Sequence, residues 1–131
     1  MRADLDCRAT AVLLDTGGSL ALAGHAATLM SVLAPATTAW IKLGSVLVWC
    51  VMVYLTIRVK MDSGFFELLA THPAEEFDHW LQEAGLRKVA QPRPRTIADR
   101  RHGALRLWRA LVVAVVIEIL FMLLGVARLL S

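Results

Sequence analysis

Two long apolar runs constrain this chain more than any other feature. The first is LGSVLVWCVMVYLTI, Leu43 to Ile57, which reaches back to Ala39 if Lys42 is tolerated. The second is ALVVAVVIEILFMLLGVA, Ala110 to Ala127. At about 1.5 Å per residue, a helix of 18 to 20 residues covers roughly 30 Å, the thickness of a bilayer's hydrocarbon core. Neither run carries the polar stripe of a surface helix. A soluble fold would have to cover both runs on all sides. The chain has 131 residues, 57% of them hydrophobic and 19% charged, and the rest of it is too short and too charged for that task. The expected fold is therefore all-α: an integral membrane helical hairpin of two transmembrane helices. A short amphipathic helical segment joins them.

Glu118 sits in the middle of the second run. Residues 110–127 contain twelve Leu, Ile, Val or Phe residues, each favouring insertion by about 0.3–0.6 kcal/mol, roughly 5 kcal/mol together. A central ionisable group costs about 2.5–3.5 kcal/mol on the same scale, so insertion wins. Glu118 lies eight residues past Ala110, roughly 12 Å along the helix and close to mid-membrane. Ala110, Ala114 and Gly125 form a small-residue stripe on its helix that lets another helix approach. At matching depth the first run offers Trp49 and Cys50, and the Trp49 indole N–H is the expected donor to the carboxyl. Ser45 and Thr56 are the other polar groups of that run. No basic residue of the chain lies at that depth, so a charge partner comes from another subunit or the carboxyl keeps its proton.

Residues 58–109 hold ten of the fourteen Lys and Arg residues. Arg58 and Lys60 follow the first run, and Arg100, Arg101, Arg106 and Arg109 precede the second. Basic flanks of this kind stay on the cytoplasmic side. The expected location is the inner cell membrane, multi-pass, with loop 59–109 cytoplasmic and both termini outside. The net charge of +3 reads as a topology signal and an attraction to anionic lipid. RKVAQPRPR lacks the aromatic or glycine pattern of a nucleic-acid module, so no nucleic-acid partner is expected. Two cysteines, one inside a membrane run, give neither a disulfide framework nor a zinc site.

The domain reading is fourfold. Residues 1–38 form an N-terminal extension, poorly ordered or an interfacial helix. Residues 39–58 are the first span. Residues 59–96 are cytoplasmic amphipathic helices with a Pro/Arg linker, and 97–128 a basic helix continuing into the second span. A third span from residues 18–34 would need to reverse within Pro35-Ala36-Thr37-Thr38, a very short connection. VLLDTGGS, residues 12–19, resembles the Asp-Thr-Gly signature of aspartic proteases. That chemistry needs two such aspartates sharing a proton on a strand-rich scaffold, and the chain has no second copy.

Between the spans, Asp62 or Ser63 is placed to cap a short helix carrying Phe65 and Phe66. Pro73 opens a second helix on which Phe77, Trp80, Leu81 and Ala84 share a face. Gly85 ends it as a C′ residue. Phe65, Phe66, Phe77, Trp80 and Leu81 are the expected interaction face. His72, Glu75, Asp78 and His79 read as a solvated polar face, since no HExxH spacing or cysteine supports a metal. Thr96-Ile97-Ala98-Asp99 resembles a capping box at the start of the last helix.

No paired carboxylates, activated nucleophile or phosphate loop appears, so no enzyme, cofactor or metal is expected. Two functions of different classes fit. One is an accessory or assembly subunit of a larger membrane complex, or a self-associating protein, with Glu118 as an intramembrane helix contact. The other is proton or cation transfer by an oligomer with Glu118 as the carrier. A hairpin with a mid-membrane carboxylate in its second helix resembles the rotor-ring subunit of ATP synthases, and Gln91-Pro92 resembles that family's loop. Here the first run has only Gly44 in place of a glycine repeat, and the loop is about fifty residues long, so the chemistry alone is carried over, not membership.

Overall fold

In the computed structural model the chain forms three long α-helices: α1 (Arg2–Leu33), α2 (Ala39–Thr71) and α3 (Ile97–Leu130). The structure describes residues 2–35, 37–71, 76, 79, 82–85 and 96–130. Two of the helices, α2 and α3, are long and apolar enough to cross a membrane. Phe77, Trp80, Leu81 and the Pro/Arg linker lie outside the described residues; of the helix expected from Pro73, the described residues Glu76, His79, Gln82 and Glu83 are helical.

The architecture is a three-helix bundle rather than a hairpin with a loose extension. Residues 2–33 are one helix, in contact with both of the others along its length. Its buried positions explain this. Cys7, Ala11, Leu14, Gly17, Ala21, Gly24, Thr28 and Ser31 recur in steps of three and four residues and are all buried. Most are small, so the neighbouring backbones come close. A Cβ at Gly17 would stand 3.0 Å from Val59 Cγ1 and 3.3 Å from Leu111 Cδ2. One at Gly24 would overlap the Met52 sulfur and reach within 3.2 Å of Val115 Cγ2.

These contacts fix the directions. α1 meets α2 at Ala11–Ser63, Asp15–Lys60, Gly17–Val59 and His25–Trp49, so the two are antiparallel. α1 meets α3 at Asp6–Arg101, Gly17–Leu111 and Gly24–Val115, so those two are parallel. The start of α1 and the end of α2 therefore lie at one end of the bundle, together with the start of α3. Both termini were expected on one side; instead Arg2 and Leu130 lie at opposite ends.

The short α1–α2 reversal is made by threonine. The Thr37 hydroxyl donates to the Ser31 carbonyl at 2.8 Å, covering the open end of α1. The Lys42 N–H bonds to the Thr38 carbonyl at 3.1 Å, opening α2. α2 then runs unbroken to Thr71, through the point where Asp62 or Ser63 was expected to cap a new helix. No proline interrupts residues 58–71. The Ser63 hydroxyl instead donates across to the Ala11 carbonyl at 3.1 Å. α3 begins at the expected box: the Asp99 N–H bonds to Thr96 Oγ1 and the Thr96 N–H to Asp99 Oδ2, each at 3.2 Å. Gly85 has φ +68°, the left-handed geometry of a C′ residue.

Charge is segregated along the bundle. The first helix has no charged side chain from Thr16 to Leu33, α2 none from Leu43 to Ile57, and α3 only Glu118 from Ala110 to Ala127. The Lys60–Asp15 ion pair at 3.5 Å and the Gly17–Leu111 approach put the charged borders Asp15, Lys60 and Arg109 within about a turn of one level. The low-charge stretch is thus shared by all three helices. Beyond it, the charge-bearing end of the bundle encloses Cys7, Ala11, Leu14, Phe66, Leu69 and Ala104.

Asp62 belongs to that end. Burial pushes its carboxyl above the ordinary range, while the Arg58 guanidinium draws it back. A carboxyl raised in the folded state favours folding when protonated. Its benefit is complete below the unfolded value near 3.8 and is lost as pH rises through the folded value. Asp62→Asn is therefore expected to stabilise the protein at pH 7 by about 0.5 kcal/mol after discounting for solvent screening. The gain should vanish near pH 3.5. Melting curves of both proteins at the two pH values check this, and an equal gain at both would sink it.

Candidate functional site

Glu118 is fully enclosed, with 0% of its surface exposed. Val115 and Ala114 precede it on the inward face of α3, and the helix period carries Glu118 onto the same face. Its partner is Ser45 on α2, also 0% exposed, whose Oγ stands 2.6 Å from Glu118 Oε2. The second carboxyl oxygen, Oε1, is buried and has no hydrogen-bond partner among the described residues. Ser31 on α1 is 1% exposed, and its Oγ is likewise buried without a partner. The α1–α2 contacts place Ser31 opposite Gly44 and Ser45. The interior therefore holds one satisfied hydroxyl–carboxyl pair and two further oxygens at about the same level.

Trp49 and Cys50, expected beside Glu118, are not there. The Trp49 indole Nε1 donates to His25 Nδ1 on α1 at 3.1 Å, the rings meeting edge-on at 69°. Cys50 is exposed and free, whereas Cys7 is buried. The displacement is about one helical turn. Matching the two apolar runs by their ends assumes no axial offset, and the Gly44–Phe121 contact shows one.

The small-residue stripe is divided. Ala114 is buried and Gly125 is closed by Thr37, whose Cγ2 lies 2.8 Å from where a Cβ would be. Ala110 faces outward. Of the expected interaction face, Phe66 is 3% exposed within the chain's own core and Phe65 is half-buried against it. Among the basic residues, Arg101 pairs with Asp6 at 3.7 Å and Lys60 with Asp15. Arg58, Arg106 and Arg109 are exposed, and Arg100 is half-buried. Asp6 and Arg101, with His102, Ile97, Ala98 and Leu105, line an open groove of about 520 Å³ between α1 and α3.

Sequence reasoning passed over His25 and Ser31, and it read Ser45, the partner of Glu118, only as another polar group of its run. The step pattern of small residues on α1 was the available signal for Ser31. Among the described residues no cluster of three or more His, Cys, Asp or Glu side chains could hold a metal. Comparison of the chain with known protein families, with curated proteins and with solved structures finds no match.

Proposed function

We propose that this chain is a membrane-embedded three-helix bundle that serves as an accessory or assembly subunit of a larger membrane complex. The observation that carries the reading is the outward-facing apolar surface. Only 17% and 28% of the most apolar stretches of α2 and α3 are buried. Leu47, Val51, Val113 and Leu120 are each more than half exposed. A soluble core helix would bury such residues, and contiguous apolar surface of this extent marks a lipid or protein interface.

In this reading α1 crosses too. Its uncharged stretch of eighteen residues, Thr16–Leu33, covers about 27 Å and is level with those of α2 and α3. Twelve of the fourteen Lys and Arg residues lie before residue 9 or between 58 and 109. The positive-inside rule then places the α2–α3 connection and the start of α1 in the cytoplasm, and the end of α3 outside. Glu118 acts as an intramolecular contact that fixes the register of α3 on α2. A partner meets the outer surface of the bundle instead.

The test joins topology to composition. Reporters ahead of Arg2 and after Gly85 should read as cytoplasmic, and one after Leu130 as external. An external signal ahead of Arg2 removes the third crossing. Purification from solubilised membranes should then recover one partner in fixed ratio; recovery of the chain alone defeats the subunit role. A second reading, proton or cation transfer through Glu118, is favoured by the unpartnered Oε1.

A further inference from the structure

We propose that the three helices enclose a hydrated site in which one water molecule bridges Ser31 Oγ on α1 and Glu118 Oε1 on α3. The site is entered from the α1–α2 turn and closed toward the charged end of the bundle. It stands apart from the subunit role, which concerns the outer surface. Each helix contributes one enclosed oxygen-bearing side chain: Ser31, Ser45 and Glu118 are all at most 1% exposed. Ser45 already bonds Glu118 Oε2 at 2.6 Å, while Oε1 and Ser31 Oγ have no partner among the described residues. Enclosed oxygens are costly when left without a partner.

Ser31 has a local outlet that it does not take. Thr10, Thr28 and Thr56 each turn their hydroxyl to the carbonyl four residues back, at 2.7, 3.0 and 2.7 Å. Ser31 Oγ makes no such bond, so its hydroxyl is left to the interior, opposite Ser45. The two unpartnered oxygens do not bond each other, and the gap calls for a molecule that both donates and accepts. Water does both. Ser31 O–H donates to it, and it donates to Glu118 Oε1 and to Thr28 Oγ1, whose own hydrogen is spent on the Gly24 carbonyl. Thr28 is buried and precedes Ser31 by three residues on the same face. Three polar partners and short side chains around them are what a buried water requires. A hard divalent cation takes about six or more oxygens, beyond what one carboxyl and three hydroxyls supply.

From this site polar groups continue toward the α1–α2 turn. Thr37 is buried, and its hydroxyl bonds the Ser31 carbonyl at 2.8 Å. Lys42, half-buried, precedes Ser45 by three residues on α2, roughly 4.5 Å along the axis. Toward the charged end the next interior layer is Met52, Leu55, Leu111 and Val115, all buried and all apolar. Lys60 lies fifteen residues beyond Ser45 on that side, roughly 22 Å away. Water thus reaches Glu118 from the turn and stops at the apolar layer. One chain supplies half of an aqueous path, not a path across.

Hydration needs only the bundle; its sidedness rests on the three crossings, which the reporters above test separately. Water-edited solid-state NMR of the full chain in lipid bilayers, with isotope-labelled glutamate carboxyl groups, reads the first. The Glu118 signal, identified by its loss in Glu118→Gln, should gain magnetisation directly from water. Ser31→Val removes the hydroxyl and fills the space, and should abolish that gain. A variant that failed to fold would do the opposite, bringing the carboxyl into freer contact with water. No gain in wild type overturns the site, and an undiminished gain in Ser31→Val removes Ser31 from it. A shift of the Glu118 signal between sodium and choline buffers overturns water in favour of a cation. Silver ion, small and membrane-impermeant, reads the sidedness. In vesicles of uniform orientation carrying Cys7→Ala and Cys50→Ala, silver on the side of the α1–α2 turn should protect the thiol of Ser31→Cys from later maleimide labelling in detergent. Silver on the other side should not. Protection from the other side, or from neither, overturns the one-sided entry.

Discussion

Gly24→Leu is expected to release α1 from the bundle, at a cost above about 3 kcal/mol. The first added carbon already overlaps the sulfur of Met52 and presses on Val115. Met52 is 0% exposed and Val115 4%, so neither side chain has room to withdraw. A leucine adds three more carbons to the same space. Gly64 and Gly103 supply the contrast. A Cβ at either position meets nothing within 4 Å. Alanine there should stabilise its helix by about 0.5–1 kcal/mol, because only the backbone entropy changes. One class of substitution thus has opposite signs at three glycines. Unfolding of the purified protein in detergent, followed by circular dichroism, reads all three. A Gly24→Leu protein that melts with wild type would mean α1 is not packed as described.

The second large effect concerns Ser45 and Glu118. Ser45→Ala leaves the carboxyl with no hydrogen-bond partner among the described residues, at an expected cost of about 1–3 kcal/mol. Glu118→Gln retains an oxygen facing Ser45 and should change stability by less than about 1 kcal/mol. The asymmetry follows from which group is stranded. A serine without its partner can turn its hydroxyl to the carbonyl one turn back in its own helix, whereas the glutamate side chain has no such local outlet. Flux separates the two functional readings. If Glu118 carries protons or cations, Glu118→Gln abolishes flux in vesicles while the melting temperature stays near wild type. If it only fixes register, the variant is silent in both measurements and Ser45→Ala still lowers the melting temperature.

α2 and α3 were legible because their apolar residues are large and unbroken, a signal that composition alone carries. The Thr96–Asp99 box was legible because capping is local. The packing of α1 was not, because its inward face, Leu14 apart, is built from glycine, alanine, serine, threonine and cysteine. Their value lies in closeness of approach rather than in transferred apolar area, so hydropathy passes over them. The step pattern from Cys7 to Ser31 was present all the same. Glu118 was identifiable as an interior polar group, but its partner was not. Depth counted from the ends of two runs finds a neighbour only to within a turn, and Ser45 lies one turn from Trp49. Phe66 was legible as a residue needing burial. That the burial lies within the chain follows from the continuity of α2, which no local breaker signal opposes.

The weak apolarity of α1 bears on how such a protein is made. In the three-crossing reading, the earliest made of these three helices is the one least able to remain in lipid alone. Its uncharged stretch holds five Leu or Val residues beside His25 and two serines. On an insertion scale the favourable part is only about 2 kcal/mol, much of it cancelled by the polar residues. α2 and α3 need no such help. Assembly then runs against the order of synthesis: the later helices anchor first, and α1 is drawn in against the groove they form. A nascent chain stopped before α2 would leave the first helix outside the bilayer.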